Sequence, residues 1–246
     1  MRLDQLLFSQ GFGTRRVCAG LIEQGLVTVR GTVCTEPDAE FDTAAGGLAF
    51  TVQGAEWAFH ERAYLMLHKP AGYECSHRPG AWPSVYTLLP GALRQRPPHT
   101  KSSAKIVGVQ AVGRLDQDTT GLLLLSDDGA FIHRMNSPKK HVPKVYEVTT
   151  RHPLDASQTE KLLRGVVLDD SPKPVAAAAA EAVGTHHLRL ILTEGKYHQV
   201  KRMVAAVGNR VEALHRSSIG RLALPADLPE GQWRWLSADD LLALAG

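Results

Sequence analysis

The residues best equipped for chemistry lie in one short run, Val112-Gly113-Arg114-Leu115-Asp116-Gln117-Asp118-Thr119-Thr120-Gly121, followed at once by Leu122-Leu123-Leu124-Leu125-Ser126. The four leucines are too few to span a membrane and too apolar for a surface segment, so they read as a buried strand. The polar residues ahead of them therefore stand at the mouth of a core element, where a rigid scaffold can aim them. Asp116 has Arg114 two residues away, and a carboxylate near a guanidinium stays ionised, as a nucleophile or a general base must be. The same pattern also fits a structural Asp–Arg pair at a turn. Asp116, Asp118, Asp127 and Asp128 together admit a two-metal nuclease site, although Asp127-Asp128-Gly129 reads better as a helix cap.

Three further runs carry polar groups of the same kind. Lys69-Pro70-Ala71-Gly72, with Cys75-Ser76, follows an apolar segment, and Lys144-Val145-Tyr146-Glu147-Val148 places residues 144, 146 and 148 on one face of a strand. Tyr146 is thus either a core aromatic or a surface on which a flat ligand can stack. Glu194-Gly195-Lys196-Tyr197-His198-Gln199-Val200-Lys201-Arg202-Met203 opens a helix whose Val200 and Met203 mark a buried side. Lys201-Arg202 is then a solvated face or a pair of cations aimed at a site. For Arg114, the plain alternative is an ion pair with Asp118.

The elements that position these residues divide the chain in two. In the first part, Leu3, Leu6 and Leu7 give a short helix stopped at Gly11. Thr14 caps a second helix ending before Gly25, and Leu26–Val29, Arg30-Gly31 and Thr32–Cys34 read as a hairpin. That places a small α/β module at residues 1–45, a linker at 46–62 and the main domain at 63–246. Strands are expected over 63–68, 105–112, 121–126, 144–150, 174–183, 187–193 and 210–215. Helices are expected over 129–136, 156–164 and 197–207, with another starting at Ser237. Adjacent strands outnumber helices, so the main domain reads as α+β with a mixed, largely antiparallel sheet. Residues 90–105 read as a mobile loop.

Composition narrows the partners. With 28 Lys and Arg against 25 Asp and Glu, the net charge is only +3, but the cations are clustered. Arg94, Arg96, Lys101 and Lys105 form one cluster, residues 133–151 (Arg134, Lys139, Lys140, Lys144, Arg151) a second, and residues 196–221 (Lys196, Lys201, Arg202, Arg210, Arg216, Arg221) a third. Brought together by a fold, they would suit a polyphosphate backbone. No stretch of about 18 apolar residues predicts a membrane span. Met1-Arg2-Leu3-Asp4 does not read as a secretory leader. Cys18, Cys34 and Cys75 are an odd set without CxxC spacing, which points to reduced thiols, hence the cytoplasm, and away from zinc. The expected state is a monomer.

Taken in order, Lys69-Pro70-Ala71-Gly72, Gly113-Arg114-Leu115-Asp116, Lys144-Val145-Tyr146 and Glu194 through Met203 resemble the bacterial rRNA pseudouridine synthases of the RsuA type. Arg2-Leu3-Asp4, Thr14-Arg15-Arg16 and Gly25 through Gly31 resemble the S4 RNA-binding module of such enzymes. The resemblance implies a pseudouridine synthase-like catalytic domain and an isomerase that needs neither metal nor organic cofactor. It also implies that Asp116 is the catalytic carboxylate, Tyr146 the stacking partner of a flipped base and Lys201 the cation beside Asp116. Arg114 would fill the space the base vacates, with Arg15, Arg16, Arg30, Lys69, Lys196, His198, Gln199 and Arg202 along the RNA. The first 45 residues hold four basic and six acidic residues, so that module would bind through a local face. His198 through Met203, with Leu214-His215-Arg216, look closer to the small-subunit (16S) branch. The alternatives are a 23S rRNA uridine as target and a non-catalytic RNA-binding or assembly factor.

Overall fold

The computed structural model describes residues 1–44, 46–98 and 107–245, and the chain forms two compact units. The first comprises Met1–Tyr64, Leu89–Gln110 and Leu125–Gly129. Its helix α1 (Leu3–Gln10) ends at Gly11, whose φ of 91° is the left-handed conformation a helix stop uses. Helix α2 (Arg15–Glu23) begins where the Thr14 hydroxyl accepts from Val17 N. Strands β1 (Val27–Val29), β2 (Thr32–Cys34), β3 (Ala49–Val52) and β4 (Ala55–Ala58) form one sheet in the order β2-β1-β3-β4. Leu3, Leu6, Leu7, Ile22, Val27 and Val29 pack with Leu48, Phe50, Val52 and Phe59 in one core.

Residues 46–62, read above as a linker, therefore hold two strands. Alternation in Ala49-Phe50-Thr51-Val52 turns Phe50 and Val52 inward opposite Val29 and Val27, and the module needs that apolar surface to close its core. The same unit contains Arg96, which is 1% exposed rather than displayed on a basic loop. Its guanidinium donates to Asp127 Oδ2 at 2.7 Å, Gln10 Oε1 at 2.9 Å and His60 O at 2.8 Å. Of the expected loop at 90–105, Gly91–Gln95 is helical. Residues 99–106, with Lys101, Lys105 and the start of the strand expected at 105–112, lie outside the described residues.

After β4 the chain runs through β5 (Tyr64–Lys69), α3 (Gly91–Gln95), β6 (Gln110–Val112), β7 (Thr120–Ser126), α4 (Gly129–Asn136), β8 (Lys144–Thr150) and α5 (Ala156–Arg164). It continues through β9 (Val166–Leu168), β10 (Ser171–Val175), β11 (Ala179–Gly184), β12 (His187–Leu192), α6 (Gln199–Ala206), β13 (Val211–Ile219), β14 (Leu222–Ala223), β15 (Trp233–Trp235) and α7 (Ala238–Ala243). The central sheet has the order β11-β12-β8-β13-β7-β5-β15, with β14 beside β13 and β6 beside β7. β12, β8 and β13 pair antiparallel, whereas β13 and β7 run parallel, so the domain is α+β with a mixed, largely antiparallel sheet. Leu122 to Leu125 are fully buried in β7, each contributing about 2 kcal/mol of apolar burial. The single strand expected over 174–183 is broken, with β10 on β9 and β11 on β12. Among the described residues no helix is long and apolar enough to cross a membrane.

One glycine is indispensable to the sheet. Gly121 has φ 110° and lies opposite Arg216 in the parallel β7–β13 pair, and a Cβ there would overlap the Arg216 carbonyl oxygen.

Candidate active site

The second unit, Leu65–Leu88, Ala111–Leu124 and Ala130–Gly246, contains a cleft of about 680 Å³. Its lining includes Cys75, Arg114, Asp116, Lys144, Tyr146, Tyr197, Lys201 and Arg216. Asp116 comes from the turn between β6 and β7, where Thr119 N donates to Asp116 O at 3.1 Å. That turn is held from below by Lys69 at the end of β5. The Lys69 ammonium donates to the carbonyls of Pro70 (2.9 Å), Gln117 (3.2 Å) and Thr119 (2.8 Å), which uses all three of its donors.

Lys69 was expected along the RNA and is instead fully buried. Burial lowers its pKa, against the opposing pull of Cys75, Asp118 and Asp116. The reason is local: a turn with inward-facing carbonyls needs buried donors, and a lysine at the strand end supplies three.

Helix α6 delivers the opposing cation. Val200, Met203 and Val204 bury one side of it, leaving Lys201 on the side that faces the cleft. Lys201 Nζ lies 3.1 Å from Asp116 Oδ2 and 2.6 Å from Asp118 Oδ1. Burial works to lower the Lys201 pKa, but its hydrogen bonds to the two carboxylates outweigh burial and raise it. Burial likewise pushes Asp118 up, and the Lys201 hydrogen bond and charge bring it below the usual carboxylate value. Asp118 is thus an ion-pair partner of Lys201, not of Arg114, which is exposed at the cleft rim.

The loop before α6 adds a third group. His198 adopts φ 47°, stacks on Tyr197 with ring centroids 3.8 Å apart, and puts Nε2 3.4 Å from Asp116 Oδ1. Gln199, expected on the RNA, is buried. It accepts from Lys196 N at 2.8 Å and donates to Glu194 Oε1 at 3.0 Å, so its amide closes the loop that carries His198. Lys196 lines the cleft. Arg202, also expected on the RNA, turns away to pair with Asp170 at 2.6 Å. Its place one residue past Lys201 rotates it by about 100° around the helix.

Tyr146 is 8% exposed in β8, directly opposite Arg216 of β13, and it lines the cleft while packing into the core. The two roles weighed for it are compatible. In the first unit, Arg15 and Arg16 are exposed in the first turn of α2, and Arg30 is exposed at the β1–β2 turn with φ 50°. The acids of the nuclease reading are otherwise engaged, Asp127 with Arg96 and Asp128 with the Tyr64 hydroxyl at 2.7 Å.

Residues 63–206 match the family model described as RNA pseudouridylate synthase, and residues 1–42 match that of the S4 domain. The chain is 36% identical over 241 residues to the ribosomal small subunit pseudouridine synthase A of Pasteurella multocida, covering 98% of each chain. It is 36% identical over 249 residues to the protein of the same name from Escherichia coli K12, covering 99% of this chain and all of that one. The chain belongs to the RsuA-type pseudouridine synthases. A crystal structure of a pseudouridylate synthase superposes over the whole of both chains with a TM-score of 0.66 and 32% identity.

Within this synthase fold three cleft residues escaped the sequence reading as site residues. Lys144 shares the Tyr146 face, and burial together with the Arg216 charge brings its pKa down to about 8. Tyr197 is 70% exposed at the rim, although aromatic residues usually signal core. Arg216 is 3% exposed, and the signal for it was its alternation with Leu214, which puts a cation on the inward face of a strand. Burial pushes the Cys75 thiol up, so it is protonated near neutrality and unsuited to nucleophilic work.

Proposed function

We propose that this synthase isomerises a specific uridine of 16S ribosomal RNA to pseudouridine, with Asp116 as the reacting carboxylate. The observation that carries the reading is Asp116 in the cleft, 3.1 Å from Lys201 Nζ and 3.4 Å from His198 Nε2. The reaction breaks N1–C1′, turns the freed uracil, joins C5 to C1′, and moves a proton from C5 to N1. An ionised carboxylate can attack C1′, add to C6, or take the C2′ proton, and each route needs Asp116 charged and shielded from water.

Lys201 holds that charge, while Tyr146 receives the uracil once it leaves its stack, a contact worth about 1–3 kcal/mol against a flipping cost of a few. Arg114, exposed at the rim, fills the place the base leaves. Arg15, Arg16 and Arg30 of the S4 module hold the RNA backbone. The small-subunit target rests on the relatives named for that subunit and on the His198-Gln199-Val200-Lys201-Arg202-Met203 run. The reading places the enzyme in the cytoplasm as a monomer.

Tritium release from 16S transcripts carrying C5-labelled uridine tests this directly. The wild-type chain should release label and Asp116→Asn should not; undiminished release by the variant would remove Asp116 from the mechanism. Release from 23S but not 16S transcripts would move the target. Binding without release from either would leave an RNA-binding assembly factor.

A further inference from the structure

Arg216 sits in the wall of the cleft in a state that protein groups leave incomplete. It is 3% exposed, and its Nε donates to Leu122 O at 2.9 Å. Its Nη2 is buried and makes no hydrogen bond, and among the described residues the guanidinium forms no ion pair. A buried cation with an open donor is unfavourable unless something supplies an acceptor. The strand that carries it is closely packed, with Gly121 of β7 set against the Arg216 backbone. Across the other edge of β13, Arg216 faces Tyr146, and both line the cleft with Asp116 and Lys144.

An RNA nucleotide offers three kinds of acceptor: phosphate, ribose hydroxyl and the ring carbonyls. Phosphate is strongly hydrated and belongs with the exposed cations at the rim. The wall beside the stacking tyrosine is where the ring goes. We propose that Arg216 is a catalytic residue whose open Nη2 donates to a uracil carbonyl oxygen and stabilises the negative charge that builds on the ring. This rests on the synthase reading above and holds for each of its three routes. Attack at C1′ and loss of the C2′ proton both expel uracil as its anion, and addition at C6 makes the ring an enolate. In every case the charge collects on the ring oxygens, and it returns when C5 bonds to C1′ and the C5 proton leaves. A guanidinium held by Leu122 O is oriented before that charge appears, and a small movement of the cleft wall brings its open donor to the ring.

The test is a single-turnover measurement of target-nucleotide loss in 16S transcripts made with uridine or with 5-fluorouridine, by nuclease digestion and mass spectrometry. Arg216→Met should lower the rate constant on uridine by roughly 100-fold, the usual effect of removing one preorganised donor, with KM much less changed. Fluorine stabilises the ring anion intrinsically, so the loss should be markedly smaller on the fluorinated RNA. The ratio of the two rates therefore rises in the variant, and because both are read on one preparation it is independent of the folded fraction. Arg216→Lys, which keeps the charge but not the planar fork, should fall between wild type and Arg216→Met. Equal losses on both RNAs, or a Met variant within twofold of wild type, would make Arg216 a strut and overturn the proposal. A wild-type chain inactive on every RNA would instead end the synthase reading.

Discussion

Replacing Lys201 with Met removes the cation shared by two carboxylates while keeping most of the side-chain volume. At 3.1 Å the Lys201–Asp116 attraction is about 5 kcal/mol gross for an effective dielectric near 20, and half that for 40. Both side chains are about a quarter exposed, 26% and 28%, so water competes and the net term falls to about 2–3 kcal/mol, typical of a charge-assisted hydrogen bond. Asp118 and Asp116 would then face the same space uncompensated, adding repulsion that Lys201 now cancels. Lost entirely from the transition state, about 3 kcal/mol corresponds to roughly a 100-fold fall in kcat. Lys201→Arg, which retains the charge, should keep most of the rate. The assay is the tritium-release reaction under saturating and limiting RNA, with thermal melting as a control for folding. A Lys201→Met chain with unchanged kcat and raised KM would refute the reasoning, since it would make Lys201 an RNA-backbone contact and leave Asp116 to be kept ionised by other means.

Two further outcomes follow from groups elsewhere. Arg96→Met leaves the Asp127 carboxylate, 2% exposed, without its cation, and breaking such a buried pair should cost about 3–5 kcal/mol; a melting temperature lower by about 10 °C is expected, and a change under 2 °C would show the cluster to be unimportant. Lys144 has its pKa lowered to about 8 from 10.5, so below pH 8 the folded state bears the cost of holding its charge and that cost is relieved as pH rises toward 10.5. The wild-type melting temperature should accordingly rise relative to Lys144→Arg between pH 8 and the unfolded value, while wild-type RNA affinity falls across the same window and that of the variant does not; parallel pH profiles would contradict the assignment.

What was legible in the sequence was what short-range chemistry decides. Helix α5 begins at Asp155 with its Gln158 capping box and ends before Gly165, and both ends can be read from adjacent residues. Strand β8 matches its expected bounds because alternation around Tyr146 is a local pattern. Ala176 to Ala180 has no comparable pattern, so the break between β10 and β11 was invisible until β9 and β12 chose their partners. β3 pairs with β1 across more than twenty residues, and the Gly/Ala/Thr stretch just before it disguised the hairpin as a linker. Polar side chains with buried backbone or amide partners are hidden from a local pattern for the same reason. Lys69 and Gln199 have the composition of surface residues, and only the fold brings them the carbonyls and amides that take them inside.

Three cations around the Asp116 turn and the cleft show this most clearly, because residue type alone assigns them one role. Lys69 meets three carbonyl oxygens and has no donor left, so it can shape the turn of Asp116 but cannot touch a substrate. Lys201 meets two carboxylates in a partly open setting, so its charge is shared between Asp116 and Asp118. Arg216 meets one carbonyl and keeps a buried donor open. Counting acceptors around each cation, rather than counting cations, separates the scaffold lysine from the two cations to which the proposed reaction gives a part. Of the three, the buried one whose hydrogen-bonding capacity the protein leaves unfilled is the one our proposal sets against the uracil ring.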